Sequence, residues 1–214
     1  MIRFFNWFTK ITAYIPQKIV FRTKYYFEDK KVQSRRIKGP AIIVSNHTAL
    51  FDYAIFLFTF FGRTLRYQMA EVLFRKKWLG WFLKLLGGIK VDREAKNFAF
   101  IQKSEQILEK GGVVGVFPES RLPKPDETRP LEFKTSVSYL ALSSGAPIIP
   151  VYTNGSYFKK KRARVMIGKP IYLSDFLDES LDDKQNLELV TKRLREEIIR
   201  LGEQLNERQE KKKG

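Results

Sequence analysis

His47 is the one imidazole in a chain that has no cysteine at all, so proton transfer near neutral pH has a single natural carrier. Asp52 stands five residues on, at the end of Asn46-His47-Thr48-Ala49-Leu50-Phe51-Asp52. A carboxylate at that spacing, beyond a turn, can fold back on the imidazole and fix its tautomer. It would also stabilise the imidazolium formed when the other ring nitrogen accepts a proton. That is the arrangement of a general base. On spacing alone, a histidine satisfied by a neighbouring backbone group fits equally well. The missing cysteines remove thiolate nucleophiles, disulfides and Cys-based zinc sites, and a lone histidine removes a His-rich metal centre. No G-x-S-x-G elbow supplies a serine nucleophile. Neither a metal nor a cofactor is expected.

Three further segments carry candidate chemistry: Gly87-Gly88-Ile89-Lys90-Val91-Asp92-Arg93, Val116-Phe117-Pro118-Glu119-Ser120-Arg121, and Gly145-Ala146-Pro147-Ile148-Ile149-Pro150-Val151. Each follows or contains a short apolar run, and α/β proteins place their sites at strand ends. Arg93 and Arg121, brought together, would make a fork for a phosphate, since guanidinium pairs with it in a bidentate way. Surface salt bridges to Asp92, Glu94 or Glu119 are the alternative for both arginines. The third segment suits a strand that shapes a pocket.

The elements that must position these residues follow from apolar patterning. Strands are predicted at 41–45, 65–70, 89–91, 113–117, 148–151, 165–167 and 171–173. Helices are predicted at 50–61, 78–86, 95–110, 133–142 and 183–208, with Gly87 and Gly88 and then Gly111 and Gly112 as stops. The alternation predicts one α/β domain, a mixed and mainly parallel sheet flanked by helices, over residues 37–214.

Residues 1–36 read differently. Phe4, Trp7, Phe8, Ile11 and Ile15 recur at helical spacing, and Pro16 should end or bend that helix. Lys18, Phe21, Arg22, Lys24, Tyr25, Tyr26 and Phe27 follow, a mixture that suits a second helix lying at a membrane interface. The net charge of +17 calls for an anionic partner. Lipid and nucleic acid are the two candidates, the second served by Lys159, Lys160, Lys161, Arg162 and Arg164 but accompanied by no nucleic-acid motif. No apolar stretch reaches the roughly 20 residues of a membrane span, and no signal peptide precedes the domain. The expected location is therefore the cytoplasmic face of the cell membrane, held peripherally or monotopically, with no nucleic acid bound.

NHTALFD, GGIKVDR, VFPES and APIIPV stand in this order over residues 46–151, and VMIGKPI follows. Together they resemble the motif blocks of the glycerolipid acyltransferases, and most nearly the 1-acylglycerol-3-phosphate (lysophosphatidate) acyltransferase branch. The resemblance covers about residues 35–175. It implies an α/β sandwich behind an N-terminal helical membrane anchor, with His47 as general base and Asp52 as its orienting partner. It further implies acyl transfer from an acyl carrier protein or coenzyme A thioester to the free sn-2 hydroxyl of a lysophospholipid, foremost 1-acylglycerol-3-phosphate, with no acyl-enzyme. Arg93, Glu119 and Arg121 then belong to the phosphate site. The acyl-chain groove would draw on Phe56 and Phe60 of one apolar helix and Trp78 and Trp81 of the next. The third block departs from the family's FPEGTRS, since Ser120 replaces glycine and Arg121 comes one position early. A different lysolipid headgroup thus stays open as the acceptor.

Overall fold

Ala41–Ser45 is apolar at four consecutive positions, and every residue of it is buried. A strand of that kind needs cover on both faces. The computed structural model, which describes residues 1–92, 98–124, 126–158 and 162–211, provides it. Seven strands form one sheet: β1 (Lys24–Phe27), β2 (Ala41–Ser45), β3 (Leu65–Ala70), β4 (Ile89–Val91), β5 (Val113–Val116), β6 (Ile148–Thr153) and β7 (Arg164–Ile167). Their order is β1-β7-β6-β2-β5-β3-β4. Every neighbouring pair is parallel except β6 with β7. The mainly parallel mixed sheet expected from the sequence is what the chain adopts.

Side chains alternate across β2, as strand geometry requires. Ile42 and Val44 face a core built with α5 (Ala99–Glu109), α6 (Ser136–Ser144) and the long α7 (Asp183–Glu210). Ala41 and Ile43 face the opposite core, where α3 (Asp52–Thr59) supplies Ile55 and Phe56. Gly115 lies where the Tyr67 ring crosses from β3, and a β-carbon there would stand 2.2 Å from the ring. Only glycine lets that ring lie flat on the sheet under the future site. At the start of α7, Asp182 accepts from Gln185 N while the Gln185 side chain accepts from Asp182 N, a reciprocal cap that sets the helix start.

The opening segment corrects two expectations. Residues 24–27 are not helical: Lys24–Phe27 is the edge strand, in register with Arg164–Ile167. Two tyrosines and a phenylalanine favour a pleated strand once a parallel neighbour offers its unpaired edge. Through this strand the opening segment is tied to the sheet. The helix break falls at Ala13, between α1 (Ile2–Thr12) and α2 (Tyr14–Phe21). Pro16 sits inside the first turn of α2, where its missing N–H costs no intrahelical bond. A third correction concerns residues 171–173, where a single bridge joins Ile171 to Ile148 before a 3-10 turn at Leu173–Phe176.

α1 is turned inside out. It buries Asn6 and Lys10 and leaves its apolar stripe in the open. Asn6 Nδ2 donates to Leu86 O at 3.1 Å. Lys10 Nζ donates to Phe61 O at 2.9 Å and to Arg63 O at 2.5 Å, just past the end of α3. Arg35 donates to Thr59 O and Phe58 O, both at 2.7 Å. The carbonyls left unpaired at the end of α3 are thus held by cations, which suit the negative end of a helix. Burial pushes the Lys10 ammonium down to about 8. On the outer surface, Phe4 is 74% exposed, Ile11 63% and Ile15 68%. α4 (Lys77–Leu86) packs on α1 through Phe82, whose ring meets Phe5 edge-on at 5.7 Å, and adds Trp78 and Trp81, 70% and 64% exposed. Among the described residues no helix is long and apolar enough to cross a membrane.

Candidate active site

The site forms where β2 runs out. Asn46 reaches across to the end of β6, donating from Nδ2 to Thr153 O and accepting from Thr153 N, both at 2.9 Å. This clamp fixes the loop from which His47 projects. Asp52, the first residue of α3, is fully buried, and its carboxylate turns back into the same loop. Its Oδ2 lies 2.8 Å from His47 Nδ1 and accepts from Thr48 N at 2.6 Å and Ala49 N at 2.9 Å. Its Oδ1 accepts from Thr48 Oγ1 at 2.8 Å and from the Tyr157 hydroxyl at 2.5 Å. A buried carboxylate persists only when its lone pairs are occupied, and here both oxygens are held in place. Burial first, and then the Asp52 charge, push the Tyr157 phenol well up, so it stays a donor.

With Nδ1 committed to Asp52, the other ring nitrogen is the one left for chemistry. His47 stacks on Phe117 with ring centres 4.3 Å apart, and both line a cavity of about 270 Å³. Leu50, Tyr53, Met69, Leu73 and Leu83 make much of its wall, with Ser120 and Arg121 at one side. The arrangement holds an oriented imidazole at the edge of an apolar chamber with one arginine in reach of its contents.

The residues expected from the sequence are not all brought together. His47 and Asp52 are paired as the spacing suggested. Glu119 braces the loop from inside. It is buried under the loop, where Oε1 accepts from His47 N at 2.6 Å and Oε2 from Leu131 N at 2.8 Å. Burial raises its pKa, and the two backbone N–H groups only partly oppose this. A carboxylate so placed positions His47. Arg121 puts its guanidinium in a bidentate contact with Glu127, an acid outside those anticipated for it. That contact, aided by Lys124 N, holds the Glu127 carboxyl down to about 2. Arg93 lies outside the described residues, as do Lys159, Lys160 and Lys161.

The four aromatics named for the groove divide between the core and the outer surface. Phe56 in α3 and Phe60 just past its end are both fully buried in the core, outside the cavity wall. Trp78 and Trp81 lie on the outer face of α4. The wall takes Tyr53 from the first of these helices and Leu83 from the second, because those positions turn toward β3. Sequence reasoning passed over Thr48, Thr153, Gly155 and Tyr157. One signal was available for them, the Asn154-Gly155-Ser156 turn after an apolar strand. Gly155 takes φ +63°, and a β-carbon there would stand 2.8 Å from the Thr48 side chain. Close packing of that turn on the His47 loop therefore requires glycine.

Ser120 sits in the left-handed region at φ +62°, a conformation that favours glycine. A side chain there costs about 1 kcal/mol relative to glycine. Ser120→Gly is therefore expected to raise the thermal midpoint by about 2–4 °C. A scanning-calorimetry midpoint that stays level or falls would show the loop to be unstrained at this point. Among the described residues, no group of three or more His, Cys, Asp or Glu is placed to hold a metal ion.

Comparison with known proteins adds a family. A family model described as Acyltransferase matches residues 19–154. The 1-acyl-sn-glycerol-3-phosphate acyltransferase of Bacillus subtilis is 29% identical over 148 residues, spanning 67% of this chain and 71% of that protein. The protein of the same description from Pseudomonas aeruginosa is 29% identical over 163 residues, 74% of this chain and 57% of its own length. The crystal structure of the 1-acyl-sn-glycerophosphate (LPA) acyltransferase PlsC from Thermotoga maritima aligns with a TM-score of 0.59 at 20% identity. That alignment covers 91% of this chain and 78% of the other, and it shows a shared fold.

Proposed function

Because the chain belongs to the acyltransferase family, we propose that it acylates the free sn-2 hydroxyl of 1-acylglycerol-3-phosphate to give phosphatidate, working on a membrane surface. The observation that carries this reading is the 2.8 Å contact between His47 Nδ1 and a buried, fully hydrogen-bonded Asp52. It commits Nδ1 to Asp52, so the other ring nitrogen is the one left to take a proton in the cavity that His47 lines. The acceptor is taken from the curated relatives, whose descriptions name 1-acyl-sn-glycerol-3-phosphate.

The chemistry is a direct transfer. His47 removes the proton as the acceptor hydroxyl attacks the thioester carbonyl, and Asp52 stabilises the imidazolium. Collapse of the tetrahedral adduct breaks the carbon–sulfur bond, and the leaving thiolate takes the proton back from His47. No acyl-enzyme is needed, in keeping with a chain that has no cysteine. The apolar wall of Leu50, Leu73 and Leu83 suits part of an acyl chain, and Arg121 is the described cation that could meet the phosphate. The donor is an acyl thioester on coenzyme A or on an acyl carrier protein.

Residues 1–36 form the membrane-docking part and residues 37–214 the acyltransferase part, at the cytoplasmic face. A helix that buries asparagine and lysine while exposing phenylalanine and isoleucine fits an apolar medium outside it, not water. The +17 charge adds attraction to anionic headgroups.

Full-length protein mixed with vesicles containing lysophosphatidate should form phosphatidate when given acyl coenzyme A or acyl carrier protein thioester. Mass spectrometry of the extracted lipid reads the product and separates the two donors. No phosphatidate with either donor would remove the proposed acceptor.

A further inference from the structure

A second concavity shares no lining residue with the His47 cavity. Tyr53 in the first turn of α3 lines the cavity, and Thr59 at the end of that helix lines the other. It is a groove bounded by α2 and the edge strand β1, made of two hollows of about 830 and 350 Å³ that have Tyr14, Tyr25 and Arg35 in common. The larger hollow sets Ile11, Phe27 and Phe61 beside Lys30 and Arg36, and the smaller adds Lys18, Arg22 and Arg162. Among the described residues no Asp or Glu lines either hollow, and none of these cations is in a salt bridge. The acids that follow β1 are engaged elsewhere, Glu28 with Lys169 and Arg200 and Asp29 with Lys31 N. Arg35 is fixed where the hollows meet, bound to two carbonyls at the end of α3 and stacked 4.0 Å over Tyr25. A hydrogen bond and the charge of Lys18, with Arg35 adding to them, lower the Tyr14 phenol below its ordinary range. The groove is thus a strip of uncompensated positive charge with an apolar end, and that end opens at Ile11 on the outward stripe of α1.

We propose that this groove is a second lipid site, which seats one phospholipid of the docked membrane, its anionic headgroup among the cations around Arg35 and the first part of a chain on Ile11, Phe27 and Phe61. The proposal rests on the reading of the outward face of α1 and α2 as the membrane-docking part. Guanidinium and ammonium groups take a phosphate through charge-assisted hydrogen bonds, and no lining carboxylate opposes them here. A zwitterionic headgroup would bring its own ammonium against the same cations and lose much of that gain. The apolar end decides among anions. Free phosphate or nucleic acid would use the cations and leave Ile11, Phe27 and Phe61 in water. A second copy of this chain carries the same +17 charge and is repelled. An anionic lipid meets both halves of the groove.

The test uses the full-length chain and dihexanoyl phosphatidylglycerol below its micelle concentration, so that the protein meets single lipids and no surface. Titration calorimetry at low ionic strength reads the affinity. The native chain is expected to bind this lipid at least about ten-fold more tightly than dihexanoyl phosphatidylcholine or inorganic phosphate. Lys18→Gln, Lys30→Gln and Arg36→Gln combined remove three exposed cations of the groove and should weaken binding by about ten-fold, a modest factor for each. Lys110→Gln, Lys184→Gln and Lys192→Gln combined remove the same charge from exposed positions elsewhere and should change it by less than about two-fold. Unchanged binding in the groove variant overturns the proposal. Equal weakening in both variants overturns it too, since the field of the whole chain would then be responsible. So does phosphatidylcholine or inorganic phosphate bound as tightly as phosphatidylglycerol. A native chain that sediments with anionic vesicles but binds no short-chain phosphatidylglycerol overturns this inference alone. One that does neither overturns the membrane-docking reading with it.

Discussion

His47→Ala is expected to lower turnover by about a thousand- to ten-thousand-fold and to leave the fold intact. The size follows from what a positioned general base supplies, together with the tautomer control that its carboxylate partner adds. The fold survives because Asp52 does not depend on the imidazole. Thr48 N, Ala49 N, Thr48 Oγ1 and the Tyr157 hydroxyl still donate to it. Asp52→Asn is the poorer experiment. An amide would turn its NH2 toward one set of these donors, in a fully buried place, and stability would fall along with activity. Single-turnover acyl transfer, with thermal unfolding of the same sample, separates the two effects for His47→Ala. A loss smaller than ten-fold would mean that another group takes the proton.

The second large effect concerns the outward face of α1 and α2. Phe4→Ser, Phe8→Ser, Ile11→Ser and Ile15→Ser combined should abolish sedimentation with anionic vesicles while leaving the thermal midpoint where it is or higher. All four side chains are exposed and hold no part of the core. At even about 1 kcal/mol for each side chain moved from water into lipid, the four are worth roughly a thousand-fold in partitioning. Attachment of α1 to the body runs through Asn6 and Lys10 on the opposite side and is untouched. Substitution is cleaner than deleting the first 27 residues, since deletion would also strip the edge strand Lys24–Phe27 from the sheet. Undiminished sedimentation of the fourfold variant would move the membrane contact elsewhere on the surface. High salt should weaken native binding in part only, because the apolar term is not screened.

Much of this architecture was legible because the forces behind it act over short stretches of chain. β2 and β5 are apolar runs bounded by turns, and their positions follow from composition within a few residues. The long terminal helix announces itself by its stripe and by Asp182 three residues before Gln185. The edge strand was not legible. Its KYYF run is compatible with an interfacial helix or a strand, and only the free parallel edge of β7 decides between them. The phosphate side was legible as residue types but not as pairings. Arg121 found Glu127 across a local loop, and Glu119 went beneath His47.

The His47–Asp52 pair itself shows where the division falls. A five-residue spacing across a turn confines both groups to one small region, so the sequence alone determined that they could meet. It also determined that no second imidazole and no thiol could compete with them. The tertiary structure decided whether the pair is held for use. Tyr157 reaches Asp52 from 105 residues away, and Asn46 is clamped to Thr153 from 107 residues away. Those contacts exist only because β2 and β6 lie side by side with their ends in register. The same holds for α1, whose periodicity marks an apolar stripe without saying which way it faces. Lys10 settles that by reaching the open carbonyls beyond α3, which are brought beneath it only when the sheet and its helices have assembled.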